Sequence, residues 1–287
     1  MRPDVLAALR RLALAVSLLH DVDLACRDDG VHLAGVPAPV PWPSLLAAAL
    51  PAGSDRLLDA EALEPAVLRP RLARQLRAVQ AGAALRAQGP DRLAAALVPL
   101  GLPADAVDHP GPGWASLRVP GGALDLGPAL DVSDPARAEA APPLPLTPWA
   151  LRTLDATADP VLLRVRLEAA GRTAAGRLSR GDGVLRPLGA LDVVTLLGAR
   201  SLRAALVAGD PVGMVAVAVP ARRRGWTGLR HVDPAFAVAA AAATAAPERG
   251  FRGPVLVTAD EVALARTSER LAAAALRSAP PLSPGAT

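Results

Sequence analysis

The stretch formed by residues 184–226 constrains the fold most, because signals for a helix, a strand and a charged turn follow one another within it. Between residues 192 and 208 apolar side chains recur mainly at helical spacing, and Gly209 with Asp210-Pro211 supplies a stop signal. Residues 214–219 form a short run of Met and Val separated only by Ala, which is typical of a strand covered on both faces. We predict one helix, then a strand that ends at Pro220, in a βαβ-like order over residues 184–219 that builds a small sheet.

The composition indicates an alanine-rich globular chain from a GC-rich genome. The 287 residues are long enough for one large or two ordinary domains with a substantial core. Because 52% of the residues are hydrophobic and only 2% are aromatic, small aliphatic side chains must fill that core. Lys, Ile, Asn and Tyr do not occur, and their codons are rich in A and T. All 31 basic residues are therefore Arg, which explains a pI of about 10.8 at a formal net charge of only +4.

The missing residue types exclude several kinds of chemistry. Without Lys the chain has no Schiff-base nucleophile, no attachment point for pyridoxal phosphate and no P-loop lysine. Cys26 is the single cysteine, so one chain can form neither a disulfide nor a Cys-rich zinc or iron–sulfur site. A single thiol also suits a reducing compartment. We therefore expect a cytoplasmic protein that carries no cofactor.

The N-terminal half is predicted to be mostly helical with two hairpins. Helical apolar stripes cover residues 3–19 and 68–85, and two shorter helices are expected over 43–50 and from 90 to 97 or 98. Hairpins are expected to turn at Asp28-Asp29-Gly30 and at Pro120-Gly121-Gly122.

A secretory signal competes with the first helix, because Arg10 and Arg11 precede an apolar run. Asp21 and Asp23 argue against it, since they stand where a cleavage box needs apolar residues. Elsewhere no run of 18 uncharged apolar residues has membrane-spanning character, so we expect no membrane partner.

The fold class is α+β, with a C-terminal half that holds the small sheet. A Pro-rich segment joins the two halves. Further helices are expected to begin after Asp159, continuing past Arg172, and after Asp233, and a short strand is expected over residues 255–258. The predicted organisation is a helical domain with β-hairpins over 1–134, a linker over 135–148, an α/β-like domain over 149–277 and a disordered tail over 278–287.

The strongest candidate site is the arginine turn that follows the predicted strand. If its guanidinium groups are exposed, they can hold a phosphate bidentately while an indole stacks on a base. A second basic patch lies on the helix over 68–85. Ordinary solvated charge is the competing interpretation of both groups. The turn comprises Arg222, Arg223, Arg224, Trp226, Arg230 and His231, and the second patch comprises Arg71, Arg74 and Arg77.

Catalytic and metal-binding alternatives are weaker. His231 could act as a general base oriented by Asp233, but the chain has no GxSxG nucleophile elbow, and Asp233 is better explained as a helix cap. Asp260 and Glu261 are adjacent, so on a continuing strand they would face opposite ways. Three evenly spaced residues, His20, Cys26 and His32, suggest a metal site only if the first hairpin has a three-residue loop. We predict no catalytic residue and no metal ligand.

Three classes of function remain. The leading hypothesis is a non-catalytic accessory or scaffold protein that binds another protein, because so little catalytic chemistry is available. The first alternative is an Arg-mediated binder of nucleic acid or of a phosphorylated ligand, and the second is an enzyme with a His/carboxylate/Arg site. For the leading hypothesis the tryptophans are either binding anchors or lids over the core. These are Trp42, Trp114, Trp149 and Trp226.

Overall fold

A computed structural model shows an α+β protein, as predicted. It describes residues 1–20, 22–50, 65–106, 109–111, 113–114, 117–133, 142–178, 183–227, 233–245 and 248–265. The predicted disordered tail, residues 278–287, lies outside these ranges. In the described part of the chain no helix is both long and apolar enough to cross a membrane.

Groups of helices and groups of strands follow one another along the described chain. The helices are α1 Pro3–His20, α2 Trp42–Ala49, α3 Pro65–Ala87, α4 Pro90–Ala96, α5 Pro148–Thr153, α6 Pro160–Leu178, α7 Val193–Leu196, α8 Arg200–Val207 and α9 Pro234–Ala243. The strands are β1 Leu24–Cys26, β2 Val31–Leu33, β3 Leu97–Pro103, β4 Leu117–Arg118, β5 Leu124–Leu130, β6 Leu144–Pro145, β7 Val184–Leu185, β8 Val215–Ala221, β9 Arg224–Trp226, β10 Val255–Val257 and β11 Val262–Leu264.

The chain divides into two compact units. The first unit contains residues 1–100, 110–117 and 126–166, and the second contains residues 101–109, 118–125 and 167–287. The division falls inside β3, β4, β5 and α6. The predicted domain boundaries at 134 and 149 stay a prediction.

Helix α3 supplies much of the core of the first unit. Its predicted stripe is fully buried at Leu72, Leu76 and Val79, and it packs among α1, α2 and α4. The helix begins at Pro65 and also accommodates Pro70. Pro65 is tolerated because the first N–H groups of a helix have no intrahelical acceptor, whereas Pro70 lies in the second turn and removes one intrahelical hydrogen bond.

The first hairpin forms as predicted, and its register separates the potential metal ligands. Cys26 pairs with Val31, and Ala25 pairs with His32. Neighbouring positions on a strand face opposite ways, so the thiol and the imidazole lie on different faces of the hairpin. His32 Nε2 instead lies 3.0 Å from Asp29 Oδ1. Among the described residues no group of three potential ligands could hold a metal ion.

Strand β3 was not predicted, because Pro99, Gly101 and Pro103 interrupt its apolar pattern. It lies at the edge of the sheet order β3-β5-β4, where the missing N–H groups of proline are tolerated. Gly101 allows a close approach, since an added Cβ would lie 2.7 Å from Thr195 Cα. The edge position and this contact are tertiary features that the local pattern does not contain.

Part of the predicted linker belongs to the first unit. Within the described residues 142–148, Leu144 pairs with Leu130 and Pro145 with Ala129, which makes β6 a short additional strand beside β5. Leu146 is fully buried. A two-residue strand tolerates Pro145, because its missing N–H affects only one position of the ladder.

The second unit contains a sheet with the order β11-β10-β8-β9-β7. Strands β7 and β8 each pair antiparallel with β9, so they run parallel to each other with β9 between them. Helices α7 and α8 connect β7 to β8, and the predicted strand–helix–strand order is therefore a split βαβ arrangement. Residues 217–220 of β8 are buried, as expected for a covered strand. The prediction of a covered strand over residues 214–219 is wrong at its start, because Met214 precedes β8 and is 39% exposed and Val215 and Ala216 are half-buried.

The single helix predicted over residues 192–208 is wrong, because it is divided into α7 and α8. Asp192 caps the first helix by accepting a hydrogen bond from Thr195 N at 2.7 Å. Arg203 Nη1 donates to the carbonyl groups of Leu197 and Gly198 at 2.9 and 2.7 Å, which holds the chain between the helices. Glu168 caps the second helix through the N–H of Arg200 at 2.7 Å.

Candidate functional site

Arg222, the first residue of the predicted arginine turn, points into the second unit. It is only 7% exposed. Its Nε donates to Asp192 Oδ2 at 2.7 Å, and its Nη2 lies 2.6 Å from the same oxygen and donates to the Gly101 carbonyl at 2.9 Å. The expectation that all three arginines are exposed is therefore wrong for Arg222. The physical reason is that Asp192 supplies a buried carboxylate that neutralises this guanidinium.

The next two arginines are exposed, and β9 directs the second of them. Arg224 is exposed, Gly225 is buried and Trp226 is half-buried, as the alternation of a strand requires. A Cβ on Gly225 would lie 3.0 Å from Val219 Cγ2 and 3.1 Å from Val193 Cγ1. Gly225 therefore faces the core, and the side chains of Arg224 and Trp226 project from the opposite face of β9.

On that face three side chains form a cluster that we call the arginine–tryptophan surface: Arg224, Trp226 and Phe236. The Arg224 Cζ lies 5.2 Å from the Trp226 ring centroid, within the range of a cation–π interaction. The Phe236 ring meets the indole edge to face, with centroids 6.0 Å apart and an interplanar angle of 83°. Phe236 is 40% exposed. The indole is thus held between a cation and a second aromatic ring at a solvent-accessible position.

Further cations adjoin the arginine–tryptophan surface. Val184 pairs with Trp226 and Leu185 with Gly225, so the register brings the next residue, Arg186, to the level of Arg224. Arg186 and Arg223 are both exposed. Sequence reasoning missed Arg186 and Phe236, because only strand pairing and helix docking bring them near the turn. Arg230 and His231, the remaining predicted members, lie outside the described residues.

The three arginines of the second basic patch do not share one environment. Arg77 is exposed and donates to the His20 carbonyl at the end of α1. Arg71 is half-buried and lines a pocket of the first unit. Burial lowers the pKa of the Arg71 guanidinium, and the neighbouring charge of Arg74 lowers it further. Arg71 and Arg74 therefore interact electrostatically, whereas Arg77 holds a helix end.

Three of the four tryptophans are core residues. Trp42, Trp114 and Trp149 are 4%, 2% and 7% exposed. The Nε1 of Trp42 donates to the Arg27 carbonyl at 3.1 Å, and that of Trp114 donates to the Pro128 carbonyl at 2.9 Å. The tryptophans were predicted to be either binding anchors or lids over the core, and these three are lids. Trp226 alone has the partial exposure that an anchor needs.

A cluster of His109, Asp125 and Arg118 was not predicted from the sequence. His109 Nε2 lies 3.3 Å from Asp125 Oδ2, and Arg118 Nε donates to Asp125 Oδ1 at 2.9 Å. This hydrogen bond and the carboxylate charge raise the pKa of Arg118. Asp125 is 1% and His109 9% exposed, so the pair is enclosed in the second unit. The bond from Arg118 of β4 to Asp125 of β5 joins the two strands beside their connecting turn. The histidine–carboxylate pair therefore has a structural role here.

The adjacent carboxylates Asp260 and Glu261 lie in the turn between β10 and β11. The Thr258 Oγ1 accepts hydrogen bonds from Asp260 N at 3.2 Å and Glu261 N at 3.0 Å. Asp260 also pairs with Arg200 at 3.1 Å, and both side chains are largely exposed. The two carboxylates are therefore solvated turn charges.

No match to this chain was found among protein-family models, curated proteins or solved structures.

Proposed function

We propose that this protein is a non-catalytic accessory or scaffold protein that binds another protein through the arginine–tryptophan surface. The observation that supports the proposal is the solvent-accessible cluster in which Arg224 lies over the Trp226 ring and Phe236 packs against it edge to face. Trp and Arg are among the residue types most enriched at binding hot spots.

We place the protein in the cytoplasm, because a chain with one cysteine gains no internal disulfide from an oxidising compartment.

The geometry of the cluster suits protein recognition in two ways. The indole is already held by its two neighbours, so less side-chain entropy is lost when a partner covers it. Exposed cations flank Arg224, since Arg223 precedes it in the chain and the strand register brings Arg186 to its level. The aromatic pair therefore has positive charge on one side, as the rim of an interface often has. A partner with an apolar side chain flanked by carboxylates would complement this surface.

The test is an affinity pull-down from the cells that naturally make the protein, with nuclease present and mass spectrometry as the readout. The wild-type chain and an Arg172→Ala control, which removes an exposed arginine of α6, should retain the same protein partner. Arg224→Ala and Trp226→Ala should each weaken binding to that partner by about 30-fold, the effect of a hot-spot residue. Retention of the same proteins by both variants would contradict the proposal.

A second candidate function is binding of nucleic acid or of a phosphorylated ligand, and the exposed arginines beside a half-buried indole favour it. Guanidinium groups bind phosphate, and an indole offers a stacking platform for a base. This function predicts that nuclease removes the captured material and that binding to random single-stranded DNA falls steeply with salt. Arg223→Ala combined with Arg224→Ala tests it without disturbing the buried Arg222.

A further inference from the structure

The first unit contains a pocket of about 410 Å³ between α2, α3 and α5. This volume lies within the range of about 300–1,000 Å³ found for small-molecule sites. Part of its wall is apolar and is formed by Leu46, Leu50 and Trp149. The indole of Trp149 is otherwise buried in the core, so this wall is held in place by the fold.

Cationic and polar groups line the rest of the pocket. Arg71 of α3 is half-buried there, and Arg152 of α5 is an exposed arginine that also lines the pocket. The described lining residues include no carboxylate. Burial and the charge of Arg74 both lower the pKa of Arg71, and an anion bound in the pocket would favour the charged form of the arginines that line it.

A buried hydrogen bond fixes the polar side of the pocket. Gln75 is 2% and Thr147 8% exposed, and the Thr147 hydroxyl donates to Gln75 Oε1 at 2.6 Å. The same hydroxyl oxygen accepts from Ala150 N at 3.3 Å, so α5 positions it. This bond fixes the orientation of the Gln75 amide in the wall of the pocket.

We propose that this pocket binds a small organic carboxylate with an apolar body. The carboxylate is recognised by Arg71 and Arg152, whose guanidinium groups match its two oxygens, and the apolar body lies against Leu46, Leu50 and Trp149. The inference is independent of the arginine–tryptophan surface, which lies in the other unit.

The test compares three probes by isothermal titration calorimetry: octanoate, its neutral analogue octanamide, and inorganic phosphate. Octanoate should bind at least about tenfold more tightly than octanamide, because a charge-assisted hydrogen bond is lost with the charge. It should also bind more tightly than phosphate, which has no apolar body. Octanoate binding that is absent, or no tighter than that of either other probe, overturns the proposal.

Variants then assign the binding to this pocket. Arg71→Gln and Arg152→Gln should each weaken octanoate binding by about tenfold, whereas Arg92→Gln, at an exposed arginine of α4, should leave it unchanged. Circular dichroism checks that the variants fold. If Arg71→Gln does not fold, Arg152→Gln decides, because its side chain is exposed. Unchanged affinity in folded Arg152→Gln and in folded Arg71→Gln places the octanoate elsewhere and overturns the proposal.

Discussion

At the scale of single residues, Arg222 and Arg223 are adjacent and identical, but their replacement by Ala should change stability by very different amounts. Arg222→Ala removes one member of a buried pair and leaves Asp192 Oδ2 and the Gly101 carbonyl without the donors that Arg222 supplies. We expect it to lower the free energy of unfolding by about 3 kcal/mol. Arg223→Ala changes an exposed side chain and should cost less than about 0.5 kcal/mol. Urea unfolding followed by circular dichroism measures both.

The variants Arg222→Ala and Arg223→Ala serve as controls for each other. If Arg222→Ala is as stable as Arg223→Ala, the Arg222–Asp192 pair contributes nothing to folding, and the proposed reason for the inward orientation is wrong. Binding experiments on the turn should for the same reason leave Arg222 unchanged. A triple alanine variant would confuse loss of a surface with loss of stability.

The sequence could predict that this turn concentrates positive charge, but not which arginine is buried. Residues 222–224 are chemically identical, so the choice is made by Asp192, which lies 30 positions earlier, and by the Gly101 carbonyl, which lies 121 positions earlier. The outward direction of Arg224 and Trp226 follows from strand alternation once Gly225 is known to face the core. That direction is set by contacts with Val219 of the neighbouring strand β8 and with Val193 of α7, which depend on how the chain folds back on itself.

At the scale of elements, the junction between α7 and α8 depends on Glu168 from α6. Its carboxylate accepts from Arg200 N at 2.7 Å and Ser201 N at 3.0 Å, which are orphan donors of the first turn of α8. Burial opposes ionisation of this group, but the hydrogen bonds from Ser201 and Arg200 outweigh it and lower the pKa of Glu168. The carboxylate therefore stabilises the folded state at neutral pH.

Glu168→Gln should make stability less dependent on pH. The contribution of a glutamate with a lowered folded pKa is present above its ordinary value of about 4.3 and is lost as the pH falls through the folded pKa. We expect the variant to lose about 1 kcal/mol of unfolding free energy at pH 7 and much less near pH 3. Urea unfolding at both values measures the difference, with Glu248→Gln, at an exposed glutamate, as the control. An equal loss at both values would contradict the role of the charge.

Elements with local signals were predictable, and elements that depend on pairing were not. Helices α6 and α9 begin where Asp159 and Asp233 were predicted to cap them, and both carboxylates accept a hydrogen bond at 2.8 Å from the N–H two residues later. Strands β3, β6, β9 and β11 were missed. Pro or Gly interrupts β3, β6 and β9, and β11 has only three residues, so each is stabilised by its neighbour rather than by its own pattern.

At the scale of the whole molecule, the aromatic residues are few and unevenly exposed. The chain has four Trp, two Phe and no Tyr. Trp42, Trp114 and Trp149 are buried in the first unit, and Trp226 is half-buried in the second. Tryptophan fluorescence is therefore a spectroscopic signal in which one residue reports the candidate surface and three report the core.

This distribution predicts that quenching of the fluorescence depends on the charge of the quencher. Iodide should quench a fraction of the emission more strongly than caesium does, because Arg224 lies 5.2 Å from the Trp226 ring and attracts an anion to it. Trp226→Phe should remove most of the iodide-accessible fraction, since the other three indoles are less than 9% exposed. Arg224→Gln should keep the accessible fraction but bring the iodide and caesium slopes closer together.

The experiment distinguishes exposure of the indole from the charge around it. An unchanged iodide-accessible fraction in Trp226→Phe would mean that another tryptophan is exposed, which contradicts the assignment of Trp226 as the accessible anchor. Equal slopes for iodide and caesium in the wild-type chain would mean that the guanidinium groups do not create a positive field at the ring. Because salt weakens such a field over a Debye length of about 10 Å at 0.1 M, the slopes should converge as sodium chloride is added at constant quencher concentration.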